Sequence, residues 1–451
     1  MHKSFKIHDR KIDLNSGVPI LKILGHSVPG LIFAGIVLLF SPINQSRVLN
    51  KVGGIGFLIP SLLTALTTVM QGIADGFVLL PMMKIPALFR HGADDKLKKK
   101  YITIAFAQQT LLLTSMCLLV WFLRFPLFSV LSIPKDIYPQ VELFLSFKLP
   151  AFVLANLYML LTDIYFGIGS SVRIFIMQVL NPCLNFLSYF VFLELFDLGI
   201  VAVAIVDIPN SILLSVFAVI MITKYKEKGD GFEEFKNKSN PEIVKEYALS
   251  GITCTARNLC ISLGYFVTGL VINREMTSMF LTAMGIMLPF QSFLNSVVKS
   301  HRVFCIANYD KEHISNLKKG FTQMLLFSLG FALLVSILKL FLATPYAEFM
   351  GLTGETKDKM VLIWHVGCWN LFPWGILYSF RYLLEGMRKI KISLVAGIIE
   401  CVGALICAFL LIPFFGETVV AMYQPIAWSF PAIFYVVYYL INRKKIFSVT
   451  E

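Results

Sequence analysis

The chain has 451 residues, of which 57% are hydrophobic and only 15% are charged, and its formal net charge is +13. Soluble domains are about a quarter charged, so this composition excludes a soluble globular domain and predicts an integral membrane protein. Basic loops on one side of a bilayer account for the positive charge, so we expect a lipid bilayer as a partner and no nucleic acid.

Twelve apolar segments follow one another along the chain, separated by polar breaks. Each is long enough for a helix to cross a hydrocarbon layer of about 30 Å. Backbone groups in lipid must form their hydrogen bonds internally, and these segments lack the alternation of barrel strands, so we predict helices. The predicted spans are 18–42, 53–84, 101–123, 138–162, 172–195, 198–223, 247–272, 277–304, 320–343, 358–383, 392–414 and 418–441.

An even number of spans places both termini on the same side of the membrane. The loops on that side carry far more Lys and Arg than the opposite loops, which predicts cytoplasmic termini in a plasma or inner membrane. The predicted organisation is a cytosolic N-terminal segment (1–17), an N-lobe of six helices (18–223), a cytosolic linker (224–246), a C-lobe of six helices (247–441) and a cytosolic tail (442–451).

Features of the first half recur in the second half in the same order. The stretch "RVLNK" follows the first apolar segment and "LVINR" ends the seventh, which places Asn50 and Asn273 about 220 positions apart. Gly167 after the fourth span and Gly386 after the tenth are separated by about the same distance. The chain is therefore predicted to be a duplicated six-helix bundle.

Four stretches carry a family resemblance: the basic loop after the second span, "GIGSSVR" after the fourth, "LNPCLNFL" in the fifth and "FDLGIVAVAIVDIP" leading into the sixth. In this order they resemble the multidrug and toxic compound extrusion (MATE) family of the multidrug/oligosaccharidyl-lipid/polysaccharide (MOP) flippase superfamily. The resemblance implies an all-α integral membrane fold of twelve transmembrane helices in two pseudo-symmetric six-helix lobes. It also implies a secondary efflux transporter that works by alternating access. We expect a monomer with no cofactor and no metal.

The sequence departs from the family pattern at the acids that couple transport to H⁺ or Na⁺. Family members carry an Asp in the outer half of helix one, where this chain has Ser41, Pro42 and Asn44. They carry another after an Asn in helix five, where Asn185 is followed by no acid. A second resemblance, to the progressive ankylosis branch of the superfamily, rests on "VLNKVGG", "GIADGFVLL" and "NLFPW". It implies anionic substrates of the pyrophosphate, nucleotide or carboxylate type.

Two cations within predicted spans are candidates for binding an anionic solute, because ionisable groups in lipid are costly and usually serve a cavity or a partner. Lys148 precedes a proline in the fourth span, and a structural pair with Glu142 is the alternative. Arg257 lies in the seventh span, and a pair with an acid such as Asp207 is its alternative. Further candidates for the cavity are Asn44, Asn185 and Trp374.

Three other groups of polar residues have both a functional and a structural interpretation. Asp75, flanked by glycines in the second span, is a candidate for ion coupling or for a structural ion pair. Four residues form either a cationic outer rim or interface anchors: Asn50, Lys51, Asn273 and Arg274. Lys299 and Arg302 form either an inner gate that attracts anions or part of the basic side of the bundle.

The residues favour a secondary transporter that exports a small organic anion. One alternative is a cation or drug antiporter coupled to H⁺ or Na⁺ through Asp75, and another is a flippase for an anionic lipid-linked substrate. A membrane enzyme acting on lipid is a third class, but the chain has no Walker A motif, no H-E-x-x-H and no G-x-S-x-G. We therefore predict that the protein is not an enzyme.

Overall fold

The computed structural model describes residues 17–90, 94–168, 171–224, 239–309, 312–387 and 389–447. Within this part of the chain, nine helices are long and apolar enough to cross a membrane, and three bent helix pairs bring the number of candidate spans to twelve. The prediction of an all-α multi-pass membrane protein is therefore confirmed.

The helices of the N-lobe form the first six spans. The second span consists of two helices, and the sixth span consists of two helices joined at a tight turn. Their bounds are α1 (Pro19–Val52), α2 (Ile55–Leu62), α3 (Thr64–Arg90), α4 (Asp95–Phe122), α5 (Arg124–Val130), α6 (Tyr138–Ile168), α7 (Ser171–Tyr189), α8 (Ile200–Ile205) and α9 (Ile208–Lys224).

The helices of the C-lobe form the last six spans. Here the eighth and tenth spans are each made of two helices. Their bounds are α10 (Asn240–Glu275), α11 (Ser278–Gly285), α12 (Phe290–Ala307), α13 (Ile314–Phe349), α14 (Gly354–Val366), α15 (Leu371–Gly386), α16 (Ile390–Ile406), α17 (Ile412–Phe415) and α18 (Glu417–Ile446).

Several predicted boundaries differ from the structure. The first helix does not end at residue 42 but continues through the stretch expected as a loop, until Gly53 adopts a φ of 78°. Most of the predicted linker, 225–238, lies outside the described residues, but its last part is helical. There α10 begins early because Ser239 and Glu242 form a capping box, in which the Ser239 N–H donates to the Glu242 carboxylate at 2.7 Å.

Local irregularities recur at matching places in the two halves. The second span bends by 53° between α2 and α3, and the eighth bends by 50° between α11 and α12. A π-helical turn ends the fifth span at Phe190–Leu195, and another interrupts the eleventh at Cys407–Leu411. The glycines that follow, Gly199 and Gly416, both have a φ of 55°. Such unusual backbone would not recur in this order by chance, so it supports a duplicated bundle.

Glycines allow the two lobes to pack closely along α3 and α10. A Cβ atom added to Gly76 would lie 2.6 Å from the Thr255 Cα, and one added to Gly72 would lie 3.2 Å from the Ser262 Cβ. The two helices therefore approach each other through their backbones, as small residues permit in membranes. This contact brings polar residues of the second and seventh spans to the same interface.

We expect Gly76→Ala to destabilise the protein by about 1–3 kcal/mol, because the added methyl group overlaps the backbone of α10. Thermal unfolding of the purified protein in detergent, followed by tryptophan fluorescence, measures the effect. Gly35→Ala is the matched control, since a Cβ on Gly35 of α1 meets no atom within 4 Å. Equal melting temperatures for Gly76→Ala and the control would contradict the close packing.

Candidate functional site

A cavity of about 430 Å³ opens within the N-lobe, between the first, second, fifth and sixth spans. Its wall combines aromatic rings with amide and hydroxyl groups, and the C-lobe contributes Gly285 from α11. Asp207, at the turn between α8 and α9, is the charged residue of the lining. The other polar lining residues are Ser41, Asn44, Gln45, Asn181, Asn185 and Tyr189.

Asp207 is held by two side chains from neighbouring spans. The Asn185 amide donates to Asp207 Oδ1 at 2.9 Å, and the Lys148 ammonium lies 3.5 Å from Oδ2. The structural partners expected from the sequence are therefore wrong, since Lys148 does not pair with Glu142, nor Arg257 with Asp207. The Glu142 carboxylate instead accepts a hydrogen bond from the Arg124 Nε at 2.8 Å.

Asn44 is buried in the wall of this cavity and accepts a hydrogen bond from Arg47 at 3.4 Å. The Arg47 guanidinium lies 4.4 Å from the centre of the Phe186 ring, a cation–π contact that joins α1 to α7. Asn181 accepts a hydrogen bond from Asn210 at 2.6 Å. The cavity wall therefore offers a carboxylate and several amides to a ligand, and Lys148 pairs with that carboxylate from outside the lining.

A second polar group, the interlobe cluster, consists of Asp75, Arg257, Lys299, Arg302 and Glu385. Arg257 of α10 forms an ion pair with Glu385 of α15 through Nη1 and Oε1. Arg302 of α12 approaches the other carboxylate oxygen at 3.6 Å. One carboxylate therefore serves two guanidinium groups from two other helices.

The remaining two members of the interlobe cluster face each other from opposite lobes. Asp75 lies in the middle of α3 and accepts a hydrogen bond from Gln71 at 2.7 Å. Both Asp75 and Lys299 are exposed, and Asp75 is within electrostatic range of Lys299 and Arg257. Exposed charges at the facing surfaces of the lobes indicate a cleft that water enters.

Trp374 lies away from the N-lobe cavity, in the core of the C-lobe. It is 2% exposed and stacks on Tyr378 at 4.4 Å between ring centroids. The same Tyr378 ring lies 4.9 Å from the Arg381 guanidinium, which bonds Glu400 at 2.7 Å. Trp374 therefore supports a buried ion pair of the C-lobe.

The four residues expected at an outer rim do not act together. Asn273 is buried and donates to the backbone carbonyls of Leu62 and Leu131 at 2.9 and 3.0 Å, so its assignment to the rim is wrong. The other three are exposed near the ends of their helices. Lys51 pairs with Glu194 at 3.5 Å, and Arg274 pairs with the adjacent Glu275 at 3.5 Å. Asn50 lies in the last turn of α1.

Sequence reasoning missed three charged residues that the structure brings into the polar sites. Glu385 and Glu400 are acids within apolar stretches, and Arg381 lies four positions before Glu385. Because intramembrane charges are costly, each of these was a signal for an ion pair. Gly386 was singled out in the repeat but the adjacent Glu385 was not, so the pairing of Glu385 with Arg257 was not expected.

These features define a multi-pass membrane protein of two packed six-helix lobes, with one polar cavity in the N-lobe and a charged cluster between the lobes. Its fold is that of the MATE transporters of the MOP superfamily. No protein-family model matches the sequence, and neither does any curated protein.

The similarity to solved structures extends over nearly the whole chain. An outward-facing multidrug resistance MATE family transporter has a TM-score of 0.75 at 14% identity, over 98% of this chain and 99% of the other. A MOP superfamily transporter from Pyrococcus furiosus has a TM-score of 0.74 at 15% identity, over 98% of this chain and 99% of the other. A mutant Vibrio cholerae MATE transporter has a TM-score of 0.74 at 15% identity, over 95% of this chain and 98% of the other. At these identities the similarity establishes the fold alone.

We expect Lys148→Met and Asp207→Asn to destabilise the N-lobe more when made singly than when combined. Each single change leaves an unpaired charge in a membrane span, whereas the double variant removes both charges. A double-mutant cycle of thermal unfolding should give a coupling energy of about 0.5–3 kcal/mol. Strictly additive single effects would contradict the pair as described.

We expect Asn273→Ala to destabilise the protein by about 1–3 kcal/mol, because two backbone carbonyls in the membrane lose their donor. Arg274→Ala is the matched control at the next position, since its side chain is 78% exposed. Thermal unfolding in detergent compares the two variants. If the Arg274 variant melted at the lower temperature, the assignment of Asn273 as a structural donor would be wrong.

Proposed function

We propose that the protein is a secondary transporter that moves a small organic anion across the membrane by alternating access. The substrate would bind in the cleft between the lobes, where the interlobe cluster lies, and the lobes would rock about their packed helices. Anions of the pyrophosphate, nucleotide or carboxylate type fit the charges available there.

The observation that carries this proposal is the excess of cations on the C-lobe side of the cleft. Within the part of the chain that the structure describes, the C-lobe contributes Arg257, Lys299 and Arg302 to the cluster with one acid, Glu385, and Asp75 faces them from the N-lobe. An anion that enters a low-dielectric cleft needs such countercharges. The Pyrococcus furiosus transporter, which has a similar fold, is described as having a binding pocket of reversed polarity. A basic cleft in this protein would be a comparable change in the charge of the pocket.

Contacts between the lobes are of a kind that can break and reform. Lys84 of α3 forms an ion pair with Glu246 of α10 near the end of the bundle where α1 begins. At the opposite end, Gln45 of α1 donates to the Met287 carbonyl at 2.8 Å and accepts from the Tyr346 hydroxyl at 3.2 Å. Few polar contacts at each end suit two lobes that exchange between alternative arrangements.

A cation or drug antiporter is the second candidate, and Asp75 is the observation that favours it. Its carboxylate is exposed in the cleft, and among the described residues its hydrogen-bond partner is the neutral Gln71 at 2.7 Å, so it can bind H⁺, Na⁺ or a cationic solute. A flippase for an anionic lipid-linked substrate would use the same cations of the interlobe cluster. Transport assays distinguish these functions.

We expect proteoliposomes to take up radiolabelled phosphate or succinate in preference to tetraethylammonium. Arg257→Gln should lower anion uptake by about tenfold or more without lowering expression, since truncating one partner of a buried charge pair costs about 2–5 kcal/mol. Arg257→Lys should keep the charge but weaken recognition, because Lys lacks the planar fork of Arg. Uptake per folded protein, at equal reconstitution, is the measurement.

Lys357→Gln is the control for loss of a cation, since Lys357 pairs with Glu348 at 2.8 Å at the far end of α14. Wild-type anion uptake by Arg257→Gln would exclude Arg257 from the site. Uptake of tetraethylammonium that Asp75→Asn abolishes, with no anion uptake, would instead establish the antiporter.

A further inference from the structure

Glu385 occupies the position in the interlobe cluster that an anionic ligand would take. Each carboxylate oxygen of Glu385 contacts a different guanidinium group: Oε1 pairs with Arg257, and Oε2 pairs with Arg302. The side chain of Arg257 is 13% exposed, that of Arg302 is 16% exposed and that of Glu385 is 8% exposed. Two cations around one carboxylate leave the group with a net positive charge.

The other hydrogen-bond and ring contacts of the two arginines, among the described residues, are with neutral groups. Arg257 donates to the Asn258 side-chain oxygen at 3.2 and 3.0 Å, and Arg302 lies 5.4 Å from the centre of the Tyr382 ring. These contacts orient the guanidinium groups without neutralising them. The arrangement is one that binds planar or tetrahedral oxyanions with two hydrogen bonds from each arginine.

Arg381 provides a place for the Glu385 carboxylate to go. Arg381 lies one helical turn before Glu385 on α15, and the two groups are within electrostatic range. The Arg381 Nε is buried and makes no hydrogen bond within the part of the chain that the structure describes. A buried donor without an acceptor is costly, so a carboxylate that moved towards Arg381 would gain a partner there.

We propose that Glu385 is a resident competitor for the substrate: a phosphate or carboxylate group of the solute displaces it from Arg257 and Arg302, and Glu385 turns towards Arg381. This inference rests on the proposed anion transport and names the site and its selectivity. The exchange replaces one anion by another, so the two arginines are never left buried without a countercharge. Ligands with two acidic oxygens on one atom match the paired guanidinium groups, whereas chloride does not.

The proposal predicts that Glu385→Gln binds anions more tightly than the wild type. If the carboxylate fills the site for nine-tenths of the time, its removal raises the apparent affinity about tenfold. Isothermal titration of the purified protein in detergent with inorganic phosphate, and separately with succinate, measures this. Glu142→Gln is the matched control, because it removes an acid from an ion pair with Arg124 far from the cluster.

A second variant keeps the test decisive if Glu385→Gln does not fold. Arg302→Lys retains the charge but lacks the fork, so phosphate and succinate affinity should fall about tenfold while the weak binding of chloride is unchanged. Phosphate affinity in Glu385→Gln equal to or below that of the wild type, or raised equally by Glu142→Gln, would overturn the proposal. So would unchanged phosphate affinity in Arg302→Lys.

The same experiments separate this inference from the proposed function. If wild-type proteoliposomes transport phosphate or succinate but Glu385→Gln binds them no better, the transport function stands and the competitor role is wrong. If Glu385→Gln binds phosphate more tightly but no anion is transported, the competitor site stands and the transport proposal is wrong.

Discussion

The cost of an unpaired charge inside a bilayer governs how the polar parts of this protein are arranged. An ionised side chain at the centre of a span costs about 2.5–3.5 kcal/mol on insertion scales. Three cations in the spans accordingly have an acid from another span beside them, in the pairs Lys148–Asp207, Arg257–Glu385 and Arg381–Glu400. Each pair joins two spans, so the same contacts that neutralise charge also determine which helices pack together.

Breaks in the helices create the same problem for the backbone, and side chains solve it. Asn273 donates to the carbonyl of Leu62, the last residue of α2, where the second span bends. At the break of the tenth span, Lys339 of α13 lies 2.8 Å from the Asn370 side-chain oxygen and 3.5 Å from the Gly367 carbonyl. Bent spans therefore depend on polar side chains that sequence reasoning had assigned to a rim or had not considered.

The fold was predictable from the sequence because length and apolarity determine what crosses a bilayer. All twelve spans, their grouping into two halves and the MATE resemblance follow from such patterns. The bends had local signals that the predicted spans did not use: Pro60 lies within α2 shortly before the bend of the second span, and Pro289 lies at the break of the eighth. The site was only partly predictable: Lys148, Arg257 and Asn185 lie in polar sites, but pairing depends on which helices meet. Span order along the chain does not reveal that Lys148 meets Asp207.

The duplication supplies the frame of the protein, and its departures from symmetry supply the chemistry. Both halves keep the bend of their second span, a π-helical turn and a glycine of positive φ, so these belong to the duplicated scaffold. The charges described above do not repeat: the N-lobe places Asp207 on the wall of its own cavity, paired with Lys148, whereas the C-lobe directs Arg257 and Arg302 towards the other lobe. The two faces of the cleft therefore differ in charge, with Asp75 on the N-lobe side and Arg257, Lys299 and Arg302 on the C-lobe side. In the transporter proposed above, selectivity for charge would arise where the two halves differ.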